Sequence, residues 1–308
     1  MPITPTKKIW VNGTLVDWEK ATTHVLSHTL HYGTGAFEGI RAYKTATGPA
    51  LFRLREHMVR LHNSCKILMI DLPYSVDQLV DAAKEVVRVN DLGDGCYLRP
   101  LVYLGYGEMG INPLNSPVET IIAAWPWGAY LGDEGVENGV KMKISSWNRH
   151  HPNVFPTGSK TVGAYVNSSL AKVEALKAGY DEAIMLGTDG RISECSGENL
   201  FIVRDGLLIT PPSSEAGALA GITLRSVVQI ATDLGYEVRF ESLRRDDLYV
   251  CDEAFLTGTA AEVVPIGSVD DRAVGSGKPG PITKKIQSTY ALAVRGEIPA
   301  YEAWLDRV

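Results

Sequence analysis

The stretch SECSGEN, at residues 193–199, is the most informative part of this sequence, and TGTAAE at residues 257–262 is its counterpart. Each stretch places small hydrogen-bonding residues and glycine beside a carboxylate, next to an apolar run typical of a strand. Loops of this composition let backbone N–H groups approach a ligand closely and fix a charge beside it. We therefore expect these two loops to form part of a ligand site.

The bulk composition limits the class of protein. The chain has 308 residues, 45% of them hydrophobic and 21% charged, which predicts a soluble globular protein of about two domains. A net charge of −6 argues against nucleic acid or an anionic membrane as the main partner. No apolar run approaches the roughly 20 residues of a membrane span, and the first ten residues lack the apolar segment of a secretory signal. The four cysteines have no metal-ligand spacing, so we expect no metal site and a reducing, cytoplasmic location.

Periodicity and turn residues predict a mixed α/β (α+β) protein. The dipeptide Asn12-Gly13 between β-prone runs predicts a hairpin, as do Asp-Gly pairs at 189–190 and 205–206. Ser75 and Gln78 have the spacing of a capping box in front of a helix. The other predicted helices cover residues 51–70, 165–178, 222–234, 245–249 and 280–294, and the other predicted strands 96–104, 119–127, 140–146, 237–242, 253–256 and 262–269. The hairpins predict antiparallel pairing.

A stretch rich in glycine and acidic residues, 128–139, is typical of a linker between domains. We therefore predict a small N-terminal domain over residues 1–131, an interdomain linker over 132–138 and a larger ligand-binding domain over 139–308.

Two motifs in the sequence are similar to nucleotide-binding loops, but each lacks a feature that such a loop requires. GYGEMG at residues 105–110 matches G-x-G-x-x-G after a predicted strand, but Pro113 and Pro117 prevent the helix that a dinucleotide site requires. A nicotinamide oxidoreductase remains the rival that this motif suggests. GSKT at residues 158–161 is similar to the end of a P-loop, but Ser159 occupies the position of a required glycine.

Together with Lys160, the two loops at residues 193–199 and 257–262 resemble the cofactor pocket of the class IV pyridoxal-phosphate (PLP) aminotransferases. Such an enzyme needs a lysine for the cofactor aldehyde, a carboxylate against the pyridine nitrogen, donors for the phosphate and a clamp for the substrate carboxylate. Lys160 lies in an irregular loop, whereas most other lysines lie on predicted amphipathic helices. The helix that begins within residues 219–223 has no Asp, Asn or Ser directly capping it, so its first N–H groups suit a phosphate. Residues 257–259 offer further donors.

Longer segments resemble the class IV PLP aminotransferases, and among them the branched-chain amino-acid aminotransferases. They are PTGSKTVGAY at 156–165, HYGTGAFEG at 31–39, YLRP at 97–100, GEMGINP at 107–113 and AWPWGAY at 124–130. The resemblance runs from Ile9 almost to the C-terminus. It implies PLP fold type IV, with a small N-terminal α/β sandwich-like domain and a larger C-terminal pseudo-barrel domain. The chain departs from the family pattern at Ala164, where asparagine is usual, and at Ala220, where proline is usual.

The resemblance also implies the roles of individual residues. Lys160 is the catalytic residue, Glu194 the partner of the pyridine nitrogen, and Arg60 a phosphate ligand. The full set of cofactor-binding residues is Arg60, Lys160, Tyr165, Glu194, Leu219, Gly221, Ile222, Thr223 and Thr259. The substrate-binding residues are Tyr32, Phe37, Gly39, Tyr97, Arg99, Ile111, Tyr130, Thr259 and Ala260.

The implied reaction is transfer of the amino group of L-leucine, L-isoleucine or L-valine to 2-oxoglutarate, giving 2-oxo acids and L-glutamate. Sharing of pocket residues between subunits in the family implies a homo-oligomer, with a dimer as the minimum and a hexamer as an option. Three alternatives stay open besides the oxidoreductase: a D-amino-acid or (R)-amine aminotransferase, an aminodeoxychorismate-lyase-like PLP enzyme, and a protein that binds PLP without turnover.

Overall fold

The structure is a computed structural model that describes residues 3–128 and 130–308, with Asp133 described by its backbone alone. The strands are β1 (Lys8–Val11), β2 (Thr14–Asp17), β3 (Gly35–Phe37), β4 (Ile40–Thr45), β5 (Gly48–Phe52), β6 (Gly95–Leu104), β7 (Val118–Trp125), β8 (Val140–Ile144), β9 (Glu182–Leu186), β10 (Ile192–Cys195), β11 (Asn199–Arg204), β12 (Leu207–Thr210), β13 (Val238–Phe240), β14 (Glu253–Gly258), β15 (Glu262–Val269), β16 (Arg272–Ala273) and β17 (Leu305–Arg307). The helices are α1 (His28–Tyr32), α2 (Leu54–Ile67), α3 (Val76–Val89), α4 (Gly132–Asn138), α5 (Tyr165–Lys177), α6 (Ser213–Ala216), α7 (Ile222–Asp233), α8 (Arg245–Val250) and α9 (Pro281–Val294), with 3₁₀ turns at Trp18–Lys20 and Pro299–Trp304.

The described chain divides into two compact units that are not contiguous in sequence. The first contains residues 3–128, 159–164 and 292–308, and the second contains residues 130–158 and 165–291. The sequence predicts that residues 159–164 and 292–308 belong to the larger domain, but their contacts are with the smaller one. Residues 132–138, predicted to be a linker, form helix α4 of the second unit.

The first unit is built on one antiparallel sheet. Among its described residues, eight strands pair in the order β17-β5-β4-β6-β7-β1-β2, with β3 joined to β6. The hairpin predicted at Asn12-Gly13 is confirmed: both residues have positive φ, 48° and 91°, and connect β1 to β2. The capping box predicted for Ser75 and Gln78 is also confirmed at the start of α3. Helices α2 and α3 contribute Met58, Leu79 and their apolar neighbours to one buried core with the sheet.

The second unit contains a mixed sheet. Its nine described strands run in the order β10-β9-β8-β15-β14-β11-β12-β13, with β16 on β15. The hairpins predicted at 189–190 and 205–206 are confirmed as β9–β10 and β11–β12. The expectation of antiparallel pairing is wrong for β8–β9, β8–β15 and β12–β13, which are parallel. Parallel neighbours need a long crossover, and α5 and α7 lie within the connections of the first and third of these pairs.

Candidate active site

The lysine segment of the first unit is held like an extra strand. The N–H of Val162 donates to the carbonyl of Gly35 at 2.8 Å, and the N–H of Phe37 donates to the carbonyl of Lys160 at 3.1 Å. The Lys160 N–H itself donates to the Ser64 hydroxyl on α2 at 3.0 Å. The segment predicted to be an irregular loop is therefore anchored to β3 and α2, which fixes the position from which the lysine side chain extends.

Two glycines allow this segment to approach the end of α1. Gly33 has φ +71° and ends the helix in the left-handed conformation, which glycine adopts without steric cost. A Cβ at Gly33 would lie 2.9 Å from the Cα of Gly163. The N–H of Gly163 donates to the carbonyl of Gly33 at 3.0 Å. Larger side chains at either position would push the lysine segment away from the sheet.

The Lys160 side chain lies beside a surface that is aromatic and cationic. Its Nζ is 5.2 Å from the ring centroid of Phe37, and the Arg99 guanidinium carbon is 4.7 Å from the same centroid. Arg99 Nη2 donates to the Tyr97 hydroxyl at 3.2 Å, whereas its buried Nε has no hydrogen-bond partner. No described carboxylate pairs with this guanidinium. A cation held against aromatic rings without a counter-ion is suited to bind the carboxylate of a ligand.

Gly39 is required by the position of Tyr97. The Tyr97 ring is 5% exposed and packs against Trp125 and Trp127, with centroids 5.4 and 4.8 Å away. A Cβ at Gly39 would overlap the Tyr97 hydroxyl and lie 2.7 Å from its Cζ. The structure thus brings together Phe37, Gly39, Tyr97 and Arg99, and their role in binding substrate stays a prediction. These residues and Lys160 all belong to the first unit.

Tyr32 and Ile111, the other predicted substrate residues of this unit, are exposed. Tyr32 ends α1 with 45% exposure and packs on the ring of His28, whose centroid is 4.6 Å away. Ile111 is 90% exposed, so the chain itself does not enclose it. Their assignment to the substrate pocket stays a prediction.

Arg60, the predicted phosphate ligand, is engaged by Glu38, a residue that the sequence did not single out. Arg60 Nε and Nη2 donate to the two oxygens of Glu38 at 2.6 and 2.9 Å. Burial disfavours the charged form of Glu38, yet Arg60 and His57 hold the pKa of this carboxyl well below its ordinary range. The pairing was not predictable because nothing in the local sequence links residue 38 to helix α2.

In the second unit, Glu194 occupies a defined site at the end of β10. Its Oε2 accepts the backbone N–H of Leu219 at 3.1 Å. Its Oε1 lies 3.1 Å from Nε of Arg149, as an ion pair whose atoms are not aligned for a hydrogen bond. Arg149 is 6% exposed and donates through Nη2 to the carbonyl of Cys195 at 2.7 Å. Arg149 was missed because only the fold brings it from the loop after β8 to β10.

The start of α7 has the features predicted for a phosphate site. The helix begins at Ile222 after Gly221, with no side-chain cap and no acidic residue in its first turn. Asn199 donates to the carbonyl of Leu219 at 3.0 Å, and its Oδ1 would collide with any Cβ at Gly221. Thr223 is buried within the first turn. An uncapped helix start carries unpaired N–H donors and partial positive charge, which suit an anion.

The other predicted site residues of the second unit lie at the start of a helix, in a turn and near the beginning of the unit. Tyr165 is the first residue of α5, and Thr259 and Ala260 form the turn between β14 and β15. Tyr130 is 41% exposed, with the Lys172 ammonium 5.7 Å from its ring centroid.

A cluster of acidic residues under β10 was not predicted. Glu182 is fully buried, pairs with Lys172 at 2.6 Å and accepts the Ser196 hydroxyl at 2.6 Å. Burial, and then the nearby Glu182, raise the pKa of Glu198 to about 8. Burial also raises the pKa of the Cys195 thiol. Glu198 is therefore a neutral acid at pH 7, within the stretch that begins with Ser193.

Residues 3–128 and 130–308 contain neither a membrane helix nor a metal cluster. No helix there combines the length and apolarity of a membrane crossing. No group of three or more His, Cys, Asp or Glu side chains there has the arrangement of a metal site.

Comparison with known proteins identifies the family. A model of the amino-transferase class IV family matches residues 35–269, and the chain therefore belongs to this family. The resemblance predicted from the motifs is confirmed, and the two-domain mixed α/β architecture is that of fold type IV.

The chain is also similar over almost its whole length to proteins named branched-chain-amino-acid aminotransferase. It is 49% identical over 301 residues to that of Escherichia coli (strain K12), covering 97% of each chain. It is 47% identical over 296 residues to that of Pseudomonas aeruginosa, covering 96% of this chain and 95% of the relative. A solved structure of the T.th. enzyme with pyridoxamine 5′-phosphate matches with a TM-score of 0.95 at 50% identity, covering 99% of each chain.

Proposed function

We propose that this protein is a PLP-dependent aminotransferase that moves the amino group of L-leucine, L-isoleucine or L-valine to 2-oxoglutarate. The relatives with this activity in their names cover nearly the whole chain at 47–49% identity. The structural observation that carries the proposal is the pairing of the Phe37 ring with the Arg99 guanidinium, 4.7 Å away. An aliphatic side chain suits the ring and a carboxylate suits the cation, as the two alternating substrates require.

The cofactor fits the polar groups of each unit. Bound PLP supplies an electron sink that stabilises negative charge at the α-carbon of the substrate. In the first unit Arg60 would bind its phosphate, because guanidinium groups bind anions. In the second unit the uncapped start of α7 and Thr259 offer phosphate donors, because anions bind at free helix N-termini. Glu194 would hold the protonated pyridine nitrogen, and Tyr165 would donate to the phenolate oxygen.

Lys160 would carry the protons of the reaction. Its Nζ takes the α-proton of the amino acid and, in the second half of the cycle, delivers a proton to the α-carbon of the accepting 2-oxo acid. Two backbone–backbone hydrogen bonds and the bond from the Lys160 N–H to the Ser64 hydroxyl hold residues 160–162. They support this role, because proton transfer requires a fixed origin for the side chain.

Substrate selection would follow from apolar side chains that suit an aliphatic substrate and from cationic and polar groups that suit a carboxylate. In the first unit Phe37 would supply an apolar wall for the substrate, together with Tyr32 and Ile111. In the second unit Tyr130 would contact the substrate. In the first unit Tyr97 and Arg99 would bind carboxylate groups. In the second unit the backbone of Thr259 and Ala260 offers N–H donors for a carboxylate.

The proposal includes assembly into a homo-oligomer, with a dimer as the minimum unit and a hexamer as the larger alternative. Apolar side chains of α1 and of the loop between β6 and β7 are exposed: Leu30 at 62%, Tyr106 at 58% and Ile111 at 90%. An apolar surface of this kind marks an interface more often than a solvated face. Light scattering after size-exclusion chromatography measures the assembly directly. A cytoplasmic location belongs to the same proposal, since all four cysteines are free and buried.

The test is a paired donor assay with 2-oxoglutarate and added PLP, using L-leucine or D-alanine. L-Glutamate formed from L-leucine is the expected product. D-Glutamate formed from D-alanine would instead establish the D-amino-acid rival. Visible PLP absorbance without activity on either donor would favour the lyase-like enzyme or the binding protein.

Replacement of Lys160 by alanine tests the catalytic assignment. We expect turnover to fall by at least about 10²–10⁴-fold, the usual loss for a general acid–base group. Lys66→Ala removes an exposed lysine from the end of α2 and should retain full activity. Multiple turnover by Lys160→Ala at the rate of the unmodified enzyme would reject the assignment.

A further inference from the structure

Glu38 forms a buried network that the proposed mechanism does not use. It is fully buried, whereas the Arg60 side chain keeps 13% of its exposure. Besides the two bonds from Arg60, its Oε2 lies 2.7 Å from Nδ1 of His57 and accepts the N–H of Gly39 at 3.3 Å. Both carboxylate oxygens are thus engaged, and the network connects the Phe37–Gly39 segment to helix α2.

The protonation of the network follows from burial and charge. Burial lowers the pKa of His57, despite the nearby carboxylate of Glu38, so His57 is neutral at pH 7. Its proton must then lie on Nδ1, because an ionised carboxylate can only accept a hydrogen bond. Glu38 is held as an anion by Arg60 and His57 together.

This arrangement restricts the Arg60 guanidinium. An arginine side chain loses rotamer entropy when it binds a ligand. Two parallel hydrogen bonds along the Nε–Nη2 edge fix the plane of the group in advance. The fixed group still carries its positive charge, because an arginine side chain is not deprotonated in proteins.

We propose that Glu38 and His57 are positioning residues that hold the Arg60 guanidinium in the orientation in which it binds the cofactor phosphate. The inference rests on the proposed function, since it takes Arg60 to be a phosphate ligand. It adds two residues whose effect reaches the cofactor only through Arg60. Glu38 aligns the cation, and the Nδ1–H of His57 aligns Glu38.

A purely structural network would predict a different behaviour. Removal of Glu38 would then lower the stability of the first unit and weaken every ligand alike. The positioning role predicts a loss that is specific to the phosphate group. Comparison of PLP with pyridoxal, which lacks the phosphate, separates the two.

The experiment measures the dissociation constants of PLP and pyridoxal for the apo forms of five variants. Glu38→Gln removes the charge at nearly constant shape. His57→Ala removes the Nδ1 donor, whereas His57→Asn keeps a donor at that place. Arg60→Ala removes the phosphate ligand itself. Glu56→Gln is the matched control, because Glu56 accepts from Arg53 at 2.7 Å on the same helix but is 38% exposed.

We expect Glu38→Gln and His57→Ala to bind PLP about ten- to a hundredfold more weakly, the effect of one charged hydrogen bond. Pyridoxal binding should change by less than about threefold, and His57→Asn should recover most of the affinity for PLP. Glu56→Gln should leave both constants unchanged.

Two results would overturn the proposal. Equal weakening of PLP and pyridoxal in Glu38→Gln and His57→Ala, or no weakening of either, would assign the network a structural role. If Arg60→Ala also leaves the preference for PLP over pyridoxal intact, the phosphate assignment of Arg60 fails as well. If Glu38→Gln does not fold, the comparison of His57→Ala with His57→Asn decides alone.

Discussion

Replacement of Gly39 by alanine should disturb the substrate surface through Tyr97. The new Cβ would overlap the tyrosine hydroxyl and lie 2.7 Å from Cζ, whereas carbon atoms pack at about 3.5–4.0 Å. The ring would have to move by roughly 1 Å, and Trp125 and Trp127 already occupy its surroundings. Overpacking of this kind costs about 1–3 kcal/mol of the free energy of unfolding.

The same displacement should change substrate binding. The Tyr97 hydroxyl is the hydrogen-bond partner of Arg99 at 3.2 Å, and loss of such a bond costs about 1 kcal/mol. We expect KM for L-leucine and 2-oxoglutarate to rise by roughly three- to tenfold, since about 1.4 kcal/mol corresponds to a factor of ten. Steady-state kinetics and urea unfolding measure the two effects.

Gly93→Ala is the matched control, because a Cβ there meets no atom within 4 Å. Its stability should stay within about 0.5 kcal/mol of the parent. In a Tyr97→Leu background, Gly39→Ala should cost much less, with a coupling energy of about 1–3 kcal/mol. If Gly39→Ala matches Gly93→Ala in both stability and KM, the steric reasoning is refuted.

Further predictions concern ionisation, backbone packing and a helix cap. The pKa of Glu198 is about 8 in the folded protein, against an ordinary 4.5, so the unfolded chain ionises first and the free energy of unfolding should fall as pH rises between these values. Urea unfolding of Glu198→Gln should show no such decline. Parallel pH profiles for the variant and the parent protein would contradict this prediction. Gly33→Ala should lower both activity and thermal stability, because its Cβ would meet the backbone of Gly163 at 2.9 Å. Gly158→Ala is the control, because a Cβ there meets nothing within 4 Å. Equal activity and thermal stability of the two variants would contradict the prediction. Glu253→Ala should cost about 1–3 kcal/mol in urea unfolding, because its carboxylate accepts two backbone N–H groups at the start of α9; a loss below about 0.5 kcal/mol would show that the cap is dispensable.

Lys160, the predicted catalytic residue, shows which features of the site have a local sequence pattern and which do not. Its motif context was sufficient to select Lys160, and the glycines on either side indicated a segment of unusual backbone. The pairing of residues 160–162 with β3 was not predictable, because strand pairing between distant segments leaves no local pattern. The same pairing explains why residues 159–164 belong to the first unit.

Glu194 likewise has a position that the sequence predicts and partners that only the fold brings to it. Its place at the end of a strand, beside the turn residues Ser196 and Gly197, followed from the sequence. Its partners, Arg149 and the backbone of Leu219, come from other loops and are brought to it only by the fold. The parallel strand pairs of the second sheet were not predicted for a related reason. Turn dipeptides indicate hairpins, but they carry no information about the crossover connections between parallel strands.

The sequence by itself determined the longer helices, most of the strands, the uncapped start of α7 and the family, because periodicity, capping and motif spacing are local properties. Only the tertiary structure decided which groups are charged and what they contact. Glu38 is an anion and Glu198 a neutral acid, although both are buried glutamates. The difference arises because Arg60 faces the first and Glu182 the second, and the ionisation of a buried carboxyl depends on the charges that the fold places around it.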